Sequence, residues 1–487
     1  MIVYAQKCTL MIFNSFQFLW LFPIIFGIYY LTSNLFKGRT KNRVSNTLLL
    51  VISYLLYMQW NPAYTLILLG VTLCTYFTAI IIEDKKAYGN KKYIITAGAI
   101  LTFLPLIIFK YYNFILSIFN DLFAFFGMNT GLQGLNWAIP IGLSFFTFQA
   151  VGYLWDVYYK KIEAERNILD YMLFVAFFPQ IMSGPISKAS SLLPQIKAER
   201  AFNYNSAVQG LKWLLWGFFL KTVMADRLGI YVDTVYGNFE HYNGATCLFA
   251  SILYSFQIYG DFAGYSLMAI GVGRLLGFDL INNFNRPYFS ASITEFWRRW
   301  HISLSTWLKD YIYIPLGGSR CSKLRSYWNI VVTFLVSGIW HGANWTFIIW
   351  GLLHGVFQII EKVLNMQKCN SNRIVKVGRI LLTFTLVNFA WIFFRMPDFD
   401  SAINFCTKIF ANFKGNLYIS TSTDFAMTIF SLSIVLISET CTEFFNNKIE
   451  LLNNKYTLVR WFTYLALIAV ILLFGVFDSS QFIYVSF

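Results

Sequence analysis

SYWNIVVTFLVSGIWHGANWTFIIWGLLHGVFQII, residues 326–360, runs for 35 positions without an aspartate, glutamate, lysine or arginine. A helix crosses a bilayer with about 20 predominantly apolar residues, so this run is long enough to enter the membrane twice. It divides around Gly338-Ile339-Trp340-His341-Gly342. Outward from it, residues 11–36, 44–82, 93–109, 122–155, 245–260, 381–394, 425–438 and 461–477 are also free of formal charge. Residues 44–82 divide at Trp60-Asn61-Pro62, because proline lacks the N–H that continues a helix. Shorter apolar segments lie near 169–187 and 206–220. The pattern predicts an all-α polytopic membrane protein with about ten to twelve helices entering the membrane, some of them re-entrant.

Composition agrees. Of 487 residues, 57% are hydrophobic, 20% aromatic and only 13% charged, against about a quarter charged in a typical soluble domain. That excludes an ordinary soluble enzyme, and the hydrophobicity excludes disorder. The net charge of +15 lies mostly between the apolar runs, which points to positive-inside topology and contact with anionic lipids rather than to nucleic acid. Lys37, Arg39, Lys41 and Arg43 follow the first run, and Lys448, Lys455 and Arg460 precede the last. Positive loops stay cytoplasmic, so both termini are expected outside. The chain reads as one integral-membrane domain over 1–487, with 478–487 as a C-terminal tail. The first run lacks a basic flank and a cleavage site and reads as a retained span. Seven scattered cysteines without a CxxC pair give no disulfide framework and no metal site.

Residues 282–325, NNFNRPYFSASITEFWRRWHISLSTWLKDYIYIPLGGSRCSKLR, are aromatic, basic and polar together. Ser292 with Glu295 forms a capping-box pattern at a helix start. From there Phe296, Trp300, Leu304, Trp307 and Tyr311 recur on one helical face, and Pro315 with Gly317-Gly318 ends it. The expected element is one amphipathic helix, lying in the interface or dipping into protein at membrane depth.

Four histidines carry the candidate chemistry: His241, His301, His341 and His354. His241 sits in a polar turn. His354, inside an apolar helix, reads as a core histidine bonded to a backbone carbonyl. His341 stands in the long uncharged run, where an ionisable group is costly and marks a functional site by default. Imidazole also transfers protons near neutrality. The alternative for His341 is a hydrogen-bonded packing histidine. His301, beside Trp300, Arg298 and Arg299, fits either headgroup anchoring or binding of an anionic cofactor. Gln149, Asp156, Gln180, Gln257 and Asp261 read as structural polar groups. No phosphate-loop, dinucleotide or nucleophile-elbow motif occurs.

FWRRWHISLSTWLKDYIYIPLGGSR (296–320) followed by SGIWHGANWTFIIWGLLHG (337–355) closely resembles the membrane-bound O-acyltransferase family. Within it, the chain is similar to the bacterial branch that modifies alginate, peptidoglycan and teichoic acid. SFFTFQAVGYLWDVY (144–158), FFPQIMSGPI (177–186), QIYGDFAGYSLMAIGVGRLLGF (257–278) and FAWIFFR (389–395) extend the resemblance over nearly the whole chain. It implies a helical bundle with a central tunnel, His341 as the catalytic histidine and His301 on the cytoplasmic side of that tunnel. Arg298, Arg299 and Trp300 would then line the donor entrance. No tightly bound cofactor is implied; acetyl-CoA or a carrier-protein thioester is the donor substrate. The ending FIYVSF (482–487) resembles tails in which the tyrosine, here Tyr484, is an intermediate acyl acceptor. On its own residues, Tyr484 reads as an interfacial aromatic anchor. The resemblance further implies a polysaccharide acceptor, an extracellular SGNH-type acyltransferase partner and the bacterial cytoplasmic membrane. Protein or lipid acylation, or proton-coupled transport, are the alternatives.

Overall fold

The structure, a computed structural model, describes residues 13–84, 90–128, 130–367, 372–445 and 452–477. Among these, the regular elements are helices only. Seven are long and apolar enough to cross a membrane: Phe16–Leu35, Pro62–Glu83, Lys91–Phe125, Trp345–Val363, Arg373–Arg395, Ser422–Phe445 and Thr457–Phe474. This makes the chain a multi-pass membrane protein.

Seven described helices meet that criterion, against the ten to twelve expected to enter the membrane, and some apolar helices, such as Leu143–Tyr158 with 16 residues, are too short for it. The apolar run 122–155 divides: one helix ends at Phe125, and Leu143–Tyr158 begins only after an irregular segment. Thirteen of the sixteen residues of Leu143–Tyr158 are buried within the protein. Hydropathy reads this helix and a lipid-facing one alike, because side-chain transfer cost is similar in hydrocarbon and in a protein core. By contrast only 11% of the hydrophobic window in Thr457–Phe474 is buried.

The chain forms two compact units, Met1–Gly210 with Val272–Ile281, and Leu211–Gly271 with Asn282–Phe487. In the first, helices Gly38–Met58 and Pro62–Glu83 meet at the expected break, where Asn61 Oδ1 accepts the Ala63 N–H at 2.9 Å. A buried Arg200 is the polar hub of this unit. It donates to Tyr29 Oη at 2.9 Å, to the carbonyls of Gln195 and Ile196 at 2.6 and 3.0 Å, and to Asn46 Oδ1, and it lies 4.4 Å from the ring centre of Phe278. A guanidinium with five donors is tolerated in a core when its donors are used in this way.

The second unit holds both motif segments. Helices Lys323–His341 and Trp345–Val363 form a hairpin whose turn falls at Gly342, as the glycines predict. A Cβ on Gly338 would overlap the Phe347 carbonyl, and one on Gly351 would overlap the Phe334 carbonyl. The two backbones therefore pack at a distance that only glycine permits. Asp261 and Asp226 share the buried ammonium of Lys221, at 2.6 and 2.5 Å, which is the structural kind of role expected of Asp261.

Candidate active site

His341 is the last residue of its helix and is 2% exposed. Trp340, Trp350 and Phe394 surround it, with ring centroids 4.8, 4.9 and 5.2 Å away. The hairpin turn thus holds one imidazole inside an aromatic box at the C-terminus of a helix.

His301 arrives by a different route. The Ser292 start forms as predicted: Ser292 Oγ accepts the Glu295 N–H at 3.0 Å, and Glu295 Oε2 accepts the Ala291 N–H at 2.9 Å. The single helix expected from there does not. It stops at Arg299, and a second begins at Ile302, leaving His301 in the left-handed region at φ 42° and ψ 55°. Asn283 takes up the amides that this break frees. Its carbonyl accepts the Ile302 N–H at 2.9 Å, and its Oδ1 accepts the Ser303 N–H at 3.1 Å. Ser305 Oγ donates to the Trp300 carbonyl at 3.1 Å. A non-glycine residue held in this conformation costs of order 1–3 kcal/mol and is a recurrent mark of functional sites. Here the break turns the His301 ring toward the hairpin, 6.5 Å from that of His341 between centroids. Burial pushes the His301 imidazole down to about 3. It is therefore neutral at physiological pH, suited to hydrogen bonding and not to holding an anion as a cation.

A cavity of about 500 Å³ is lined by residues of the same segments, including Ile302 and Ser337, while His301 and His341 themselves lie behind its wall. Three cations, Arg298, Lys309 and Lys362, line it, with no acidic side chain among the described residues of its wall. Arg298, Lys309 and Ser319 are exposed, whereas Trp297, Phe334 and Ser337 are buried, so the cavity has a charged mouth and an enclosed inner end. Hydroxyls of Thr294, Ser305, Thr306 and Thr333, and the amide of Gln358, add neutral hydrogen-bonding groups between. Ser337 stands one helical turn before His341, about 6 Å along the axis at 1.5 Å per residue. Such a volume, cationic outside and apolar within, matches an elongated ligand whose phosphate end stays near water.

The remaining predicted residues separate. Arg298 lines the cavity; Arg299 does not. The Arg299 guanidinium lies 3.0 Å from Glu443 and 2.5 Å from Glu295, and Arg286 and Lys376 reach Glu443 at 3.2 and 3.1 Å. Trp300 is fully buried, with the rings of Phe284 and Trp391 both at 5.0 Å, and lies outside the cavity wall. His354 is a core histidine, but its partner is an indole and not a carbonyl: Trp297 Nε1–H donates to Nδ1 at 3.3 Å. His241 ends a short 3-10 turn, as its polar surroundings imply. Tyr484 lies outside the described residues.

Asn283, Lys362 and Glu443 were not singled out from the sequence, and Lys309 and Ser337 were given no functional role there. The asparagine-rich NNFN (282–285) ahead of the motif was the one available signal for Asn283, since asparagine commonly bonds to nearby backbone in irregular segments.

The sequence model of the membrane-bound O-acyltransferase family matches residues 159–368, which include both histidine motifs. A probable alginate O-acetylase of Pseudomonas aeruginosa is 38% identical over 395 residues, 80% of this chain and 73% of that one. A peptidoglycan O-acetyltransferase of Helicobacter pylori is 34% identical over 82% of this chain and 80% of its own. A teichoic acid D-alanyltransferase of Bacillus subtilis is 26% identical over 68% and 86% respectively. Likeness of this extent places the chain in the membrane-bound O-acyltransferase family, as an enzyme that transfers acyl groups to hydroxyls.

Proposed function

We propose that the enzyme takes an acetyl group from a cytoplasmic thioester, acetyl-CoA or an acylated carrier protein, and passes it across the bacterial cytoplasmic membrane. The group then O-acylates a cell-surface or secreted polysaccharide. The observation that carries this reading is the His301–His341 pair, 6.5 Å apart, in the same segments that supply a cavity whose charged wall residues, among those described, are cations. Arg298, Lys309 and Lys362 would hold the donor's phosphates at the mouth, and the pantetheine arm would run inward along the wall that Trp297 and Phe334 form.

His341 acts as the general base. It takes the proton of an acceptor hydroxyl as that oxygen attacks the thioester carbonyl; the C–O bond forms, the C–S bond breaks, and the proton passes from the imidazole to the departing thiolate. Positioned proton transfer of this kind is worth about 10²–10⁴-fold in rate. His301, neutral, orients the reacting groups from the facing side. Tyr484 is the first acceptor, from which an extracellular SGNH-type acyltransferase moves the group to sugar hydroxyls. Outward-facing termini, supported by the lysines and arginines that flank the first and last apolar runs, put that tail on the receiving side.

The test is label transfer from [14C]acetyl-CoA to the purified protein in detergent, with and without the partner. His341→Ala should abolish incorporation, and Tyr484→Phe should abolish the covalent protein-bound label. Incorporation at the wild-type rate in His341→Ala would overturn the catalytic reading.

A further inference from the structure

The last helix, Thr457–Phe474, is hardly covered by protein, 11% of its apolar stretch being buried. Its C-terminal end is nevertheless fixed by two directional bonds. Arg227 Nη2–H donates to the Phe474 carbonyl at 2.7 Å, and the Val476 N–H donates to the Thr222 carbonyl at 2.9 Å. Arg227 is itself held by Asp424, 3.0 Å from Nη1. One guanidinium thus ties together helices Asp226–Gly237, Ser422–Phe445 and Thr457–Phe474. The Phe474 carbonyl is among the four that a helix leaves without an internal partner at its C-terminus, and a cation there also complements the helix dipole.

This anchor is continuous with the framework behind the histidines. Thr222 follows Lys221 and Arg227 follows Asp226, and Lys221 pairs with Asp226 and Asp261 at 2.5 and 2.6 Å. Asp261 precedes Phe262, whose ring stands 4.6 Å from that of His301 and perpendicular to it. Seven residues lead from Phe477, the last one described, to Tyr484, an extended reach of at most about 25 Å. With a tether this short, the place of its root governs how often the phenol meets a given point, because effective concentration depends on the match between tether length and span.

We propose that Arg227 is a positioning residue for the acceptor: by holding Phe474, with Val476 bonded to Thr222, it fixes the root of the C-terminal tether and raises the effective concentration of the Tyr484 phenol at the acyl donor. This rests on the reading of Tyr484 as the first acceptor. In that step the Tyr484 oxygen bonds to the thioester carbonyl carbon, the C–S bond breaks, and the phenolic proton ends on the departing thiolate. Arg227 acts through the tether and not on these atoms, so its contribution belongs to the rate of transfer and not to donor binding.

The test follows self-labelling of the full-length protein in detergent by [14C]acetyl-CoA in single turnovers, as a function of donor concentration. Arg227→Met should lower the limiting rate at least about tenfold, a modest part of the 10²–10⁴ that tethering can supply. The half-saturating donor concentration should not change, which also certifies that the variant is folded. Arg227→Lys, which keeps the charge and a donor for the Phe474 carbonyl, should regain most of the rate. A Gly-Ser insert after Phe477 should slow the wild type and shrink the effect of Arg227→Met, since a longer tether depends less on where it is rooted. An unchanged limiting rate in Arg227→Met, a parallel rise in half-saturation, or the same tenfold loss with the insert in place would overturn the assignment. Label that persists in Tyr484→Phe overturns the acceptor reading and this assignment with it. Label lost in Tyr484→Phe but undiminished in Arg227→Met leaves the acceptor standing and removes only the role of Arg227.

Discussion

The imidazoles of His301 and His341 stand 6.5 Å apart with their planes inclined at 62°, although forty positions separate them in the chain. Two residues acting on one reaction are not additive when removed together. His341→Ala is expected to reduce acetyl transfer at least about 100-fold, with a smaller loss in His301→Ala. The double variant should be no slower than His341→Ala alone. Initial rates of label transfer for the three proteins check this; fully additive losses would mean that the histidines work independently.

Asn283 supports the left-handed turn at His301 by accepting from Ser303 N–H. Asn283→Ala strands that amide in a buried site, at a cost of about 1–3 kcal/mol. Both the thermal midpoint and the transfer rate should fall, with the donor KM little changed, because the cavity mouth is untouched. Differential scanning fluorimetry and steady-state kinetics measure the two effects.

Arg298 and Arg299 are adjacent in sequence and opposite in use. Arg298→Gln should raise the donor KM about three- to fivefold, in keeping with an exposed charge contact, and leave kcat unchanged. Added salt should shrink the difference between wild type and variant. Arg299→Gln should instead lower thermal stability, because it removes a partner of the buried Glu443 carboxylate. A KM effect confined to Arg299→Gln would reverse these assignments.

Gly338→Ala drives a methyl group into the Phe347 carbonyl. Overpacking at such a contact costs about 1–3 kcal/mol, and here it also displaces the turn that carries His341. Gly355→Ala on the facing helix meets its nearest atom, Phe334 Cβ, at an ordinary 3.5 Å and should be neutral. Thermal midpoints of the pair in one detergent provide the comparison.

The amino-acid sequence by itself determined whatever depends on neighbours within about one helical turn. Apolar runs, the Ser292–Glu295 cap, the stop at Asn61-Pro62 and the hairpin break at Gly342 all appear where local chemistry places them. The histidine motifs were legible for the same reason, each being a compact word in the chain. Tertiary structure alone decided which apolar helices face lipid and which, like Leu143–Tyr158, are enclosed by protein. It also decided that the helix through Trp300 breaks, because the stabilising acceptor, Asn283, lies 19 and 20 residues upstream of the amides it serves. Arg298 and Arg299 were not told apart for a related cause: Glu295 pairs with Arg299 within one helical turn, but the second carboxylate that holds it belongs to Glu443, 144 positions away. Caps, glycines and hydropathy act through bonds made locally, whereas the direction a side chain faces is settled by partners that only folding brings near.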